Sequence, residues 1–254
     1  MRLEGKVAVI TGAGSGMGRA MANLFAAEGA KVVAAEWNQT TLDEVVAEVK
    51  AAGGEITGVQ GDVSKKEDCK KIVDTATGTY GTLDVLCNNA GVMDNFAGAA
   101  HYSDDVLARV MSINTYGPLY LTNLALPVMI AKGSGSIVNT ASVAGEHGGA
   151  AGVAYTMSKH ACVGLTKNTA WYYGKSGVRC NSIIAGGVKT NIMSSVDPSI
   201  IDPDGGQQAG VYAGIIPAFL EALDIANLAL FLASDDSKMI NGANIPADAG
   251  WTAA

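Results

Sequence analysis

Charge is scarce in this sequence. Asp, Glu, Lys and Arg make up 16% of the 254 residues, the net charge is -7, and Lys and Arg form no cluster. Such a chain lacks the basic surface that nucleic-acid binding requires. Long apolar runs are missing too: polar residues and a proline interrupt the most hydrophobic stretch, 119–131, and residues 1–6 lack the apolar core of a signal peptide. We therefore predict a cytoplasmic protein without nucleic-acid or membrane partners.

Cysteine and histidine are also rare. The four cysteines form no Cys-x-x-Cys pair and are expected to be reduced core residues: Cys69, Cys87, Cys162 and Cys180. His101 and His147 have no companions at metal-ligand spacing, so no metal site is predicted. No linker rich in Pro, Gly or Ser and no charge block divides the chain, which predicts a single domain over residues 1–254.

Short β-branched runs alternate with amphipathic segments along the chain. The runs predict strands at 7–10, 31–35, 56–60, 83–87, 136–140, 178–183 and 243–246. Helices are predicted at 17–27, 40–51, 65–77, 104–130, 153–173 and 218–233. This alternation indicates right-handed crossovers and an α/β fold: one doubly wound, Rossmann-type domain with a seven-stranded parallel sheet and helices on both faces. Ligands of such folds bind beyond the carboxyl ends of the strands.

A glycine-rich turn follows the first predicted strand and opens a helix. Four glycines at alternate positions allow a tight turn, a close backbone approach to a pyrophosphate, and amides directed at it from the helix N-terminus. This context predicts a dinucleotide site, with a flexible turn as the alternative. The spacing is Gly-x-x-x-Gly-x-Gly, and the predicted contacts are Gly12, Ser15, Gly16, Met17 and Gly18.

Glu36 ends the second strand, where the adenosine ribose of a dinucleotide would lie. Its carboxylate can accept from both ribose hydroxyls and would repel a 2′-phosphate by roughly 1 to 4 kcal/mol at ~4 Å. No cation stands at the neighbouring positions, which are Ser15 and Trp37. We therefore predict NAD rather than NADP as the cofactor; the alternative role for Glu36 is an exposed helix cap.

Tyr155 and Lys159 lie four residues apart in a segment of helical character, so their side chains leave one helix face on neighbouring turns. A free tyrosine has a pKa near ~10 and is a poor base at neutral pH. A nearby ammonium favours the phenolate, which makes the pair a candidate general acid/base. Taken alone, the spacing is weak evidence, because such a pair on a helix is usually a packed ring beside a solvated amine.

Further motifs follow in order along nearly the whole chain. They are Gly61-Asp62-Val63, Asn88-Asn89-Ala90-Gly91, Asn114, Ser142, and Asn181 followed by Val188-Lys189-Thr190. Together with the glycine turn and the Tyr155-x-x-x-Lys159 pair, their order and separations resemble the short-chain dehydrogenase/reductase family.

The resemblance implies a role for each motif. It implies a catalytic tetrad of Asn114, Ser142, Tyr155 and Lys159, in which Tyr155 and Lys159 also contact the cofactor. Further cofactor contacts would come from Asp62, Val63, Asn89, Ala90, Gly91, Val188 and Thr190. The non-catalytic alternatives are a turn serine for Ser142, a solvent-facing amide for Asn114 and a surface amine for Lys159.

One segment departs from the family pattern. Where the family usually has Pro-Gly after the sixth strand, this chain has Ala185 and Gly186. Without the proline ring the segment is expected to be less restrained, with a looser nicotinamide position or a different turn.

Residues 188–217 form a long connection without core periodicity, which suggests a substrate lid or a variable surface loop. The expected pocket residues are Met93, His147 and Met193, with Asp94 and Gly148 nearby. Their character favours a small to medium, mainly apolar secondary alcohol or ketone. Lys189 is the only cation of the connection, which argues against a phosphate or carboxylate handle.

The sequence therefore predicts an NAD(H)-dependent alcohol dehydrogenase or ketone reductase with tyrosine as general acid/base. The alternatives are an NADPH-dependent 3-oxoacyl thioester reductase, disfavoured by Glu36, and a non-catalytic nucleotide-bound sensor, disfavoured by the intact tetrad. The resemblance also implies a homotetramer formed through residues 104–130, 153–173 and 248–254. Trp171 and Trp251 are candidate contacts in it, with the monomer core as the alternative.

Overall fold

A single parallel sheet of seven strands organises the computed structural model, which describes residues 1–253. The strands are β1 Val7–Thr11, β2 Lys31–Glu36, β3 Glu55–Gln60, β4 Val85–Asn88, β5 Gly135–Thr140, β6 Val178–Ala185 and β7 Asn244–Ala247. Their order is β3-β2-β1-β4-β5-β6-β7, and each neighbouring pair is parallel. The strand order reverses between β1 and β4, which is where a doubly wound sheet binds its ligand. The predicted fold class is confirmed.

Eight α-helices connect the strands. They are α1 Gly16–Ala27, α2 Gln39–Ala51, α3 Lys66–Tyr80, α4 Asp104–Met111, α5 Gly117–Lys132, α6 Val153–Tyr173, α7 Pro203–Ala213 and α8 Ala222–Ala233. The predicted bounds of α6 are confirmed, and those of α1 to α3 differ by at most three residues. Ala254, the last residue of the predicted contact segment 248–254, lies outside the described residues.

Two apolar layers cover the sheet, one on each face. Alternate residues of β1 serve them, since side chains of a strand point to opposite faces. Ala8 and Ile10 pack in the layer that contains α1, α2 and α8, whereas Val7 and Val9 pack in the layer that contains α3 and α5. The five inner strands are buried on both sides, whereas the edge strands β3 and β7 are partly exposed. This leaves the carboxyl ends of the strands as the open edge for function.

The predicted helix over 104–130 is wrong in one respect. A five-residue π-helix, Ser112–Tyr116, separates α4 from α5. Its inserted residue leaves the apolar spacing on either side intact, so the sequence pattern reads as one helix. Such π-helical turns are frequent at functional sites, and this one contains Asn114.

The connection 188–217 also differs from the prediction. It contains two short 3₁₀ turns, Ile192–Ser195 and Pro198–Ile200, followed by α7. Three glycines in α7 lower its helix propensity and hide it from sequence patterns, but the Asp202 carboxylate caps its N-terminus by accepting from the Gly205 amide at 2.7 Å. The helix predicted at 218–233 begins only at Ala222, after the capping residue Glu221.

All four cysteines are free thiols buried in the structure. Burial raises the pKa of Cys69 and of Cys87 to about 12, so these thiols stay protonated at neutral pH. Within residues 1–253, no group of three His, Cys, Asp or Glu side chains is arranged to hold a metal ion. In the same residues, no helix has the length and apolar character that crossing a bilayer requires.

Gly177 precedes β6 in a left-handed conformation, with φ of 81°, and a Cβ there would lie 2.0 Å from the Gly133 carbonyl oxygen. Gly53 has nearly the same backbone, with φ of 82°, but no atom within 4 Å of its would-be Cβ. We predict that Gly53→Ala lowers the free energy of unfolding by about 1 to 2 kcal/mol, the cost of a left-handed alanine. Gly177→Ala should cost at least about 2 kcal/mol more, because the backbone at Gly133 or Gly177 must also move to relieve the contact. Urea unfolding followed by circular dichroism measures both, and equal losses would contradict the close contact at Gly177.

Candidate active site

Tyr155 and Lys159 meet on the buried side of α6. Tyr155 is 7% exposed and Lys159 is 4% exposed, and the Lys159 Nζ lies 5.4 Å from the centre of the Tyr155 ring. The ammonium donates to the Thr140 carbonyl oxygen at 2.8 Å, at the carboxyl end of β5. The surface-amine alternative for Lys159 is therefore excluded. A fixed positive charge beside a phenol is the arrangement expected of a tyrosine acid/base.

Asn114 lies within the π-helix and is 2% exposed, so the solvent-facing alternative is excluded as well. Its Oδ1 accepts from the Val92 amide at 2.9 Å, and its Nδ2 donates to the Val92 carbonyl at 2.9 Å. A second bond runs from Nδ2 to the Ser158 Oγ at 3.2 Å. Asn114 thus joins the segment after β4 to the turn of α6 that bears Lys159. A Cβ at Gly91 would lie 3.3 Å from the Asn114 Oδ1 and 3.6 Å from the Lys159 Nζ, so these two groups border the same backbone.

Ser142 follows β5 and begins the 3₁₀ turn Val143–Gly145. Its Oγ accepts from the Ala144 amide at 3.1 Å, and the residue is half-buried. The turn packs on α6, because a Cβ at Gly145 would lie only 2.9 Å from the Lys159 carbonyl oxygen. The hydroxyl proton of Ser142 remains available to a further acceptor. Ser142 therefore caps a turn and can also donate to a substrate oxygen.

The glycine turn leads from β1 into the N-terminus of α1. A Cβ at Gly18 would lie 2.0 Å from the Gly12 carbonyl oxygen, so only glycine lets the helix approach the strand this closely. Ser15 is the N-cap residue, but its side chain makes no capping hydrogen bond and the first turn of α1 contains no acidic residue. The helix N-terminus thus offers amides and a positive dipole to an anion. Met17 packs against the core instead of facing outward.

Glu36 is 6% exposed at the end of β2 and is not an exposed cap, since Asn38 caps α2. One carboxylate oxygen accepts from the Gly14 amide at 3.0 Å. The other accepts from the amides of Trp37 and Asn38 at 3.0 and 3.2 Å. The carboxylate is therefore held rigidly against the glycine turn.

Thr11, at the end of β1, ties neighbouring strand ends together. Its Oγ1 accepts from the amides of Asn89 and Ala90 at 3.0 and 3.1 Å, and the Asn89 side-chain amide donates to the Thr11 carbonyl at 3.0 Å. The Thr140 Oγ1 donates to the Asn89 Oδ1 at 3.3 Å, which adds β5 to the same network. Asn89 thus steadies the sheet at the point where the strand order reverses.

The two expected adenine contacts lie after β3. The Asp62 carboxylate accepts from the amide and the hydroxyl of Ser64 within the same turn, and Val63 is buried.

The segment after β6 is restrained despite the missing proline. The Gly186 amide donates to the Ala247 carbonyl at 3.0 Å. Two more backbone bonds join residues 187 and 189 to Leu220, and Val188 forms a parallel bridge with Leu220. The loose turn expected around Ala185 is therefore not found.

Thr190 lies beside the glycine turn, since a Cβ at Gly16 would lie 3.2 Å from the Thr190 methyl carbon. A cleft of about 500 Å³ lies here, lined by Ser15, Gly16, Arg19, Lys189, Thr190 and Asn191.

Comparisons with known proteins agree with this geometry. Residues 12–252 match the protein family described as Enoyl-(Acyl carrier protein) reductase. The 3beta-hydroxysteroid dehydrogenase 2 of Eggerthella lenta is 39% identical over 253 residues, which cover 99% of this chain and 96% of the relative. Relatives from Colletotrichum higginsianum, Talaromyces verruculosus and Penicillium canescens, which are 34 to 37% identical, are named short-chain dehydrogenases/reductases. The chain belongs to the short-chain dehydrogenase/reductase family.

Two more relatives of this short-chain dehydrogenase/reductase bear on its chemistry. A 2,5-dichloro-2,5-cyclohexadiene-1,4-diol dehydrogenase of Sphingobium indicum is 36% identical over 251 residues, covering 99% of this chain and 98% of the relative. The crystal structure of levodione reductase superposes with a TM-score of 0.90 at 34% identity over the full length of both chains. The relatives support an oxidoreductase and, with the fold, a nicotinamide nucleotide cofactor.

The three expected pocket residues all border the connection 188–217. The Met93 amide donates to the Ser195 Oγ at 3.0 Å. The His147 ring lies 6.4 Å from the ring of Tyr212 in α7, and Met193 is half-exposed in the first 3₁₀ turn. Desolvation, with the Asp248 carboxylate nearby, raises the pKa of Tyr212, so this second tyrosine is a poor competitor for the role of base.

For two polar residues at this edge of the short-chain dehydrogenase/reductase, the sequence did not predict the contacts that the structure shows. One is Thr11, the first residue of the glycine motif, whose hydroxyl joins the end of β1 to the backbone at the end of β4. The other is Asp94, which is expected near the substrate pocket. It is 1% exposed, and both its carboxylate oxygens accept backbone hydrogen bonds. Their signal in the sequence is a short polar side chain at or just after a buried strand.

Trp251 is buried within the chain, whereas Trp171 is 84% exposed. The Trp251 ring lies 4.6 Å from the Tyr212 ring, and its Nε1 donates to the Tyr212 carbonyl at 3.2 Å. We predict that Trp251→Phe, which keeps a ring but removes this hydrogen bond, accelerates amide exchange in α7 about 2- to 10-fold. Hydrogen exchange followed by mass spectrometry measures this, with Trp171→Phe as the matched control. Unchanged exchange in α7 would show that the C-terminal tail does not hold the helix.

Proposed function

We propose that this protein is an NAD(H)-dependent oxidoreductase that interconverts a secondary alcohol and a ketone, with Tyr155 as general acid/base. The observation that carries the proposal is the buried Lys159 ammonium beside the Tyr155 ring. In the oxidative direction Tyr155 accepts the proton of the alcohol hydroxyl, and in the reductive direction it protonates the carbonyl oxygen. The bound nicotinamide supplies the hydride chemistry.

The other members of the tetrad have supporting roles in this proposal. Ser142 donates a hydrogen bond to the substrate oxygen as charge develops on it. Lys159 favours the phenolate and binds the nicotinamide ribose, while Asn114 fixes the backbone of Val92 and the adjoining turn of α6. The hydrogen bond from Lys159 to the Thr140 carbonyl keeps the amine from turning away.

The chain offers a cradle that fits a dinucleotide. The uncapped N-terminus of α1 receives the pyrophosphate, and Glu36 receives the adenosine ribose. The adenine lies near Asp62 and Val63, and the nicotinamide carboxamide near Val188 and Thr190. We propose NAD because the Glu36 charge, fixed by three amides, would face a 2′-phosphate.

The substrate we propose is a small to medium, mainly apolar compound with its hydroxyl or carbonyl on a ring. Two relatives carry names of ring alcohols, a hydroxysteroid and a cyclohexadienediol. Lys189, the only cation of 188–217, is paired with Glu221 and offers no free charge to a phosphate. We propose that residues 188–217 act as the lid over this substrate.

A 3-oxoacyl thioester reductase is the second candidate; the description of the matching family, Enoyl-(Acyl carrier protein) reductase, also names a reductase of acyl thioesters, although one that reduces a C=C bond. Its expected NADPH dependence conflicts with Glu36. Turnover of 3-oxoacyl thioesters with NADPH, and none of ring alcohols with NAD, would favour it. A non-catalytic sensor has no support from the site.

We further propose a cytoplasmic homotetramer joined through α5, α6 and the C-terminal tail. Trp171 of α6 is exposed and is a candidate contact in it.

Replacing Tyr155 by Phe tests the assignment of the base. We expect kcat to fall by about 10²- to 10⁴-fold, the usual contribution of general acid/base catalysis, while NADH still binds. The measurement is NAD reduction with the best substrate from a panel of secondary alcohols, diols, sugars and hydroxysteroids. Tyr80→Phe is the matched control, because the Tyr80 hydroxyl bonds Thr57 far from the site at 2.8 Å. Turnover that survives in Tyr155→Phe would refute the proposed function.

Replacing Glu36 by Gln tests the choice of cofactor. The amide keeps one backbone acceptor and removes the charge, so the preference for NAD over NADP in kcat/KM should fall at least about tenfold, equivalent to ~1.4 kcal/mol. The matched control is Glu55→Gln, which removes the same charge from the exposed start of β3, at the opposite end of the sheet. A preference for NADP in the unaltered protein, or an unchanged ratio in Glu36→Gln, would contradict this role.

A further inference from the structure

Asp94 is a buried carboxylate that the proposed mechanism does not use. It follows β4, it is 1% exposed, and within residues 1–253 no Lys, Arg or His side chain forms a salt bridge with it. A buried charge is costly unless hydrogen bonds satisfy it. Its surroundings therefore indicate what the carboxylate is for.

Three backbone amides satisfy it. Oδ1 accepts from the Phe96 amide at 3.0 Å and from the Gly152 amide at 3.1 Å. Oδ2 accepts from the amide of Tyr155 at 2.8 Å. Gly152 is the N-cap of α6 and Tyr155 is its third residue, so this amide has no partner within the helix. The carboxylate thus attaches the segment after β4 to the first turn of the helix that carries the base.

The backbone around the Asp94 carboxylate is closely packed. A Cβ at Gly152 would lie 2.6 Å from the Asp94 Oδ2 and 2.7 Å from the Phe96 carbonyl carbon. Phe96 itself has a left-handed backbone with φ of 63°, which is unusual for a bulky residue. Its amide hydrogen bond to Asp94 is one of the contacts that hold this conformation.

The first turn of α6 is also held by the Val153 amide, which donates to the Ala97 carbonyl at 2.9 Å, and by the packing of Ala154 on α4, but neither contact involves Tyr155. Two side-chain anchors act one turn later. Asn114 bonds the Ser158 hydroxyl, and Lys159 bonds the Thr140 carbonyl. Asn114 acts on the backbone of Tyr155 only indirectly, through the Ser158 hydroxyl, which donates to the Tyr155 carbonyl at 2.7 Å. Of these anchors, only Asp94 bonds the backbone of Tyr155 itself.

We propose that Asp94 is a positioning residue that fixes the Tyr155 backbone and so aligns the phenol with Lys159 and the substrate oxygen. The proposal rests on the proposed function, in which Tyr155 transfers the proton. A carboxylate at a helix N-terminus also stabilises the helix, and the test must separate that general effect from alignment.

Asp94→Asn is a specific test, because an amide can keep Oδ1 on Phe96 and Gly152 but turns an N–H donor toward the Tyr155 amide. We expect kcat per NADH-binding site to fall about 10- to 100-fold, as misplacement by about 1 Å does. The dissociation constant for NADH should change less than about threefold. The solvent deuterium isotope effect on kcat should rise, because proton transfer becomes slower relative to the other steps.

The matched control is Asp84→Asn. Asp84 is also buried, accepts from the Val7 amide at 2.9 Å and pairs with Lys132, but it precedes β4 at the opposite end of the strand. Its loss should lower stability without changing kcat per binding site or the isotope effect. If Asp94→Asn does not fold, Asp94→Ser provides a second test, because the shorter hydroxyl side chain fits the same space and removes the carboxylate from the Tyr155 amide without placing a donor against it.

A loss of kcat with a larger isotope effect and retained NADH binding supports the proposal. Wild-type kcat in the tested variant, or a joint loss of NADH binding and kcat with an unchanged isotope effect, overturns it. Failure of the proposed function is distinguishable, because it would appear as surviving turnover in Tyr155→Phe. An inactive Tyr155→Phe beside a fully active Asp94→Asn would overturn only the role of Asp94.

Discussion

The buried ammonium of Lys159 is the constraint on which the rest of the site depends. A charge that is almost removed from water must be compensated by fixed dipoles or by a group that becomes negative. The Thr140 carbonyl supplies one dipole, and the phenol of Tyr155 is the adjacent group that can ionise. The lysine must therefore reach the end of β5 from the correct turn of α6, which fixes the position of the helix relative to the sheet.

The polar network at the carboxyl edge meets that requirement. Thr11, Asn89 and Thr140 join the ends of β1, β4 and β5, so the carbonyl that receives Lys159 belongs to a cross-braced edge. Asn114 and Asp94 then bind α6 to the segment after β4 from two sides. Short polar side chains are suited to this because they hold little rotamer entropy and reach only neighbouring backbone.

Much of this was predictable from the sequence because buried parallel strands leave unbroken apolar runs. All seven strands and the bounds of α6 follow from such patterns, and the Tyr155 and Lys159 spacing placed both groups on one face. The π-helix around Asn114 was not predictable, since one inserted residue leaves the apolar spacing on both sides unchanged. The helix α7 was hidden by its glycines, and it owes its place to Asp202 and to contacts with Trp251, which is distant in sequence. Long-range contacts of this kind leave no local pattern.

The same contrast separates the sheet edge around Tyr155 from the connection 188–217. The groups around Tyr155 and Glu36 are held by hydrogen bonds to the backbone of the sheet edge, so their geometry changes little when surface residues change. The connection 188–217 is held by contacts with the segment after β4 and with the C-terminal residues, among them the bond of Arg109 to the Ser195 carbonyl and the packing of Tyr212 on Trp251. These contacts are separate from the bond of Lys159 to the Thr140 carbonyl, so the connection can change its sequence without removing that bond. In the proposed function, substrate choice is therefore assigned to this connection, and proton transfer to the braced edge beneath it.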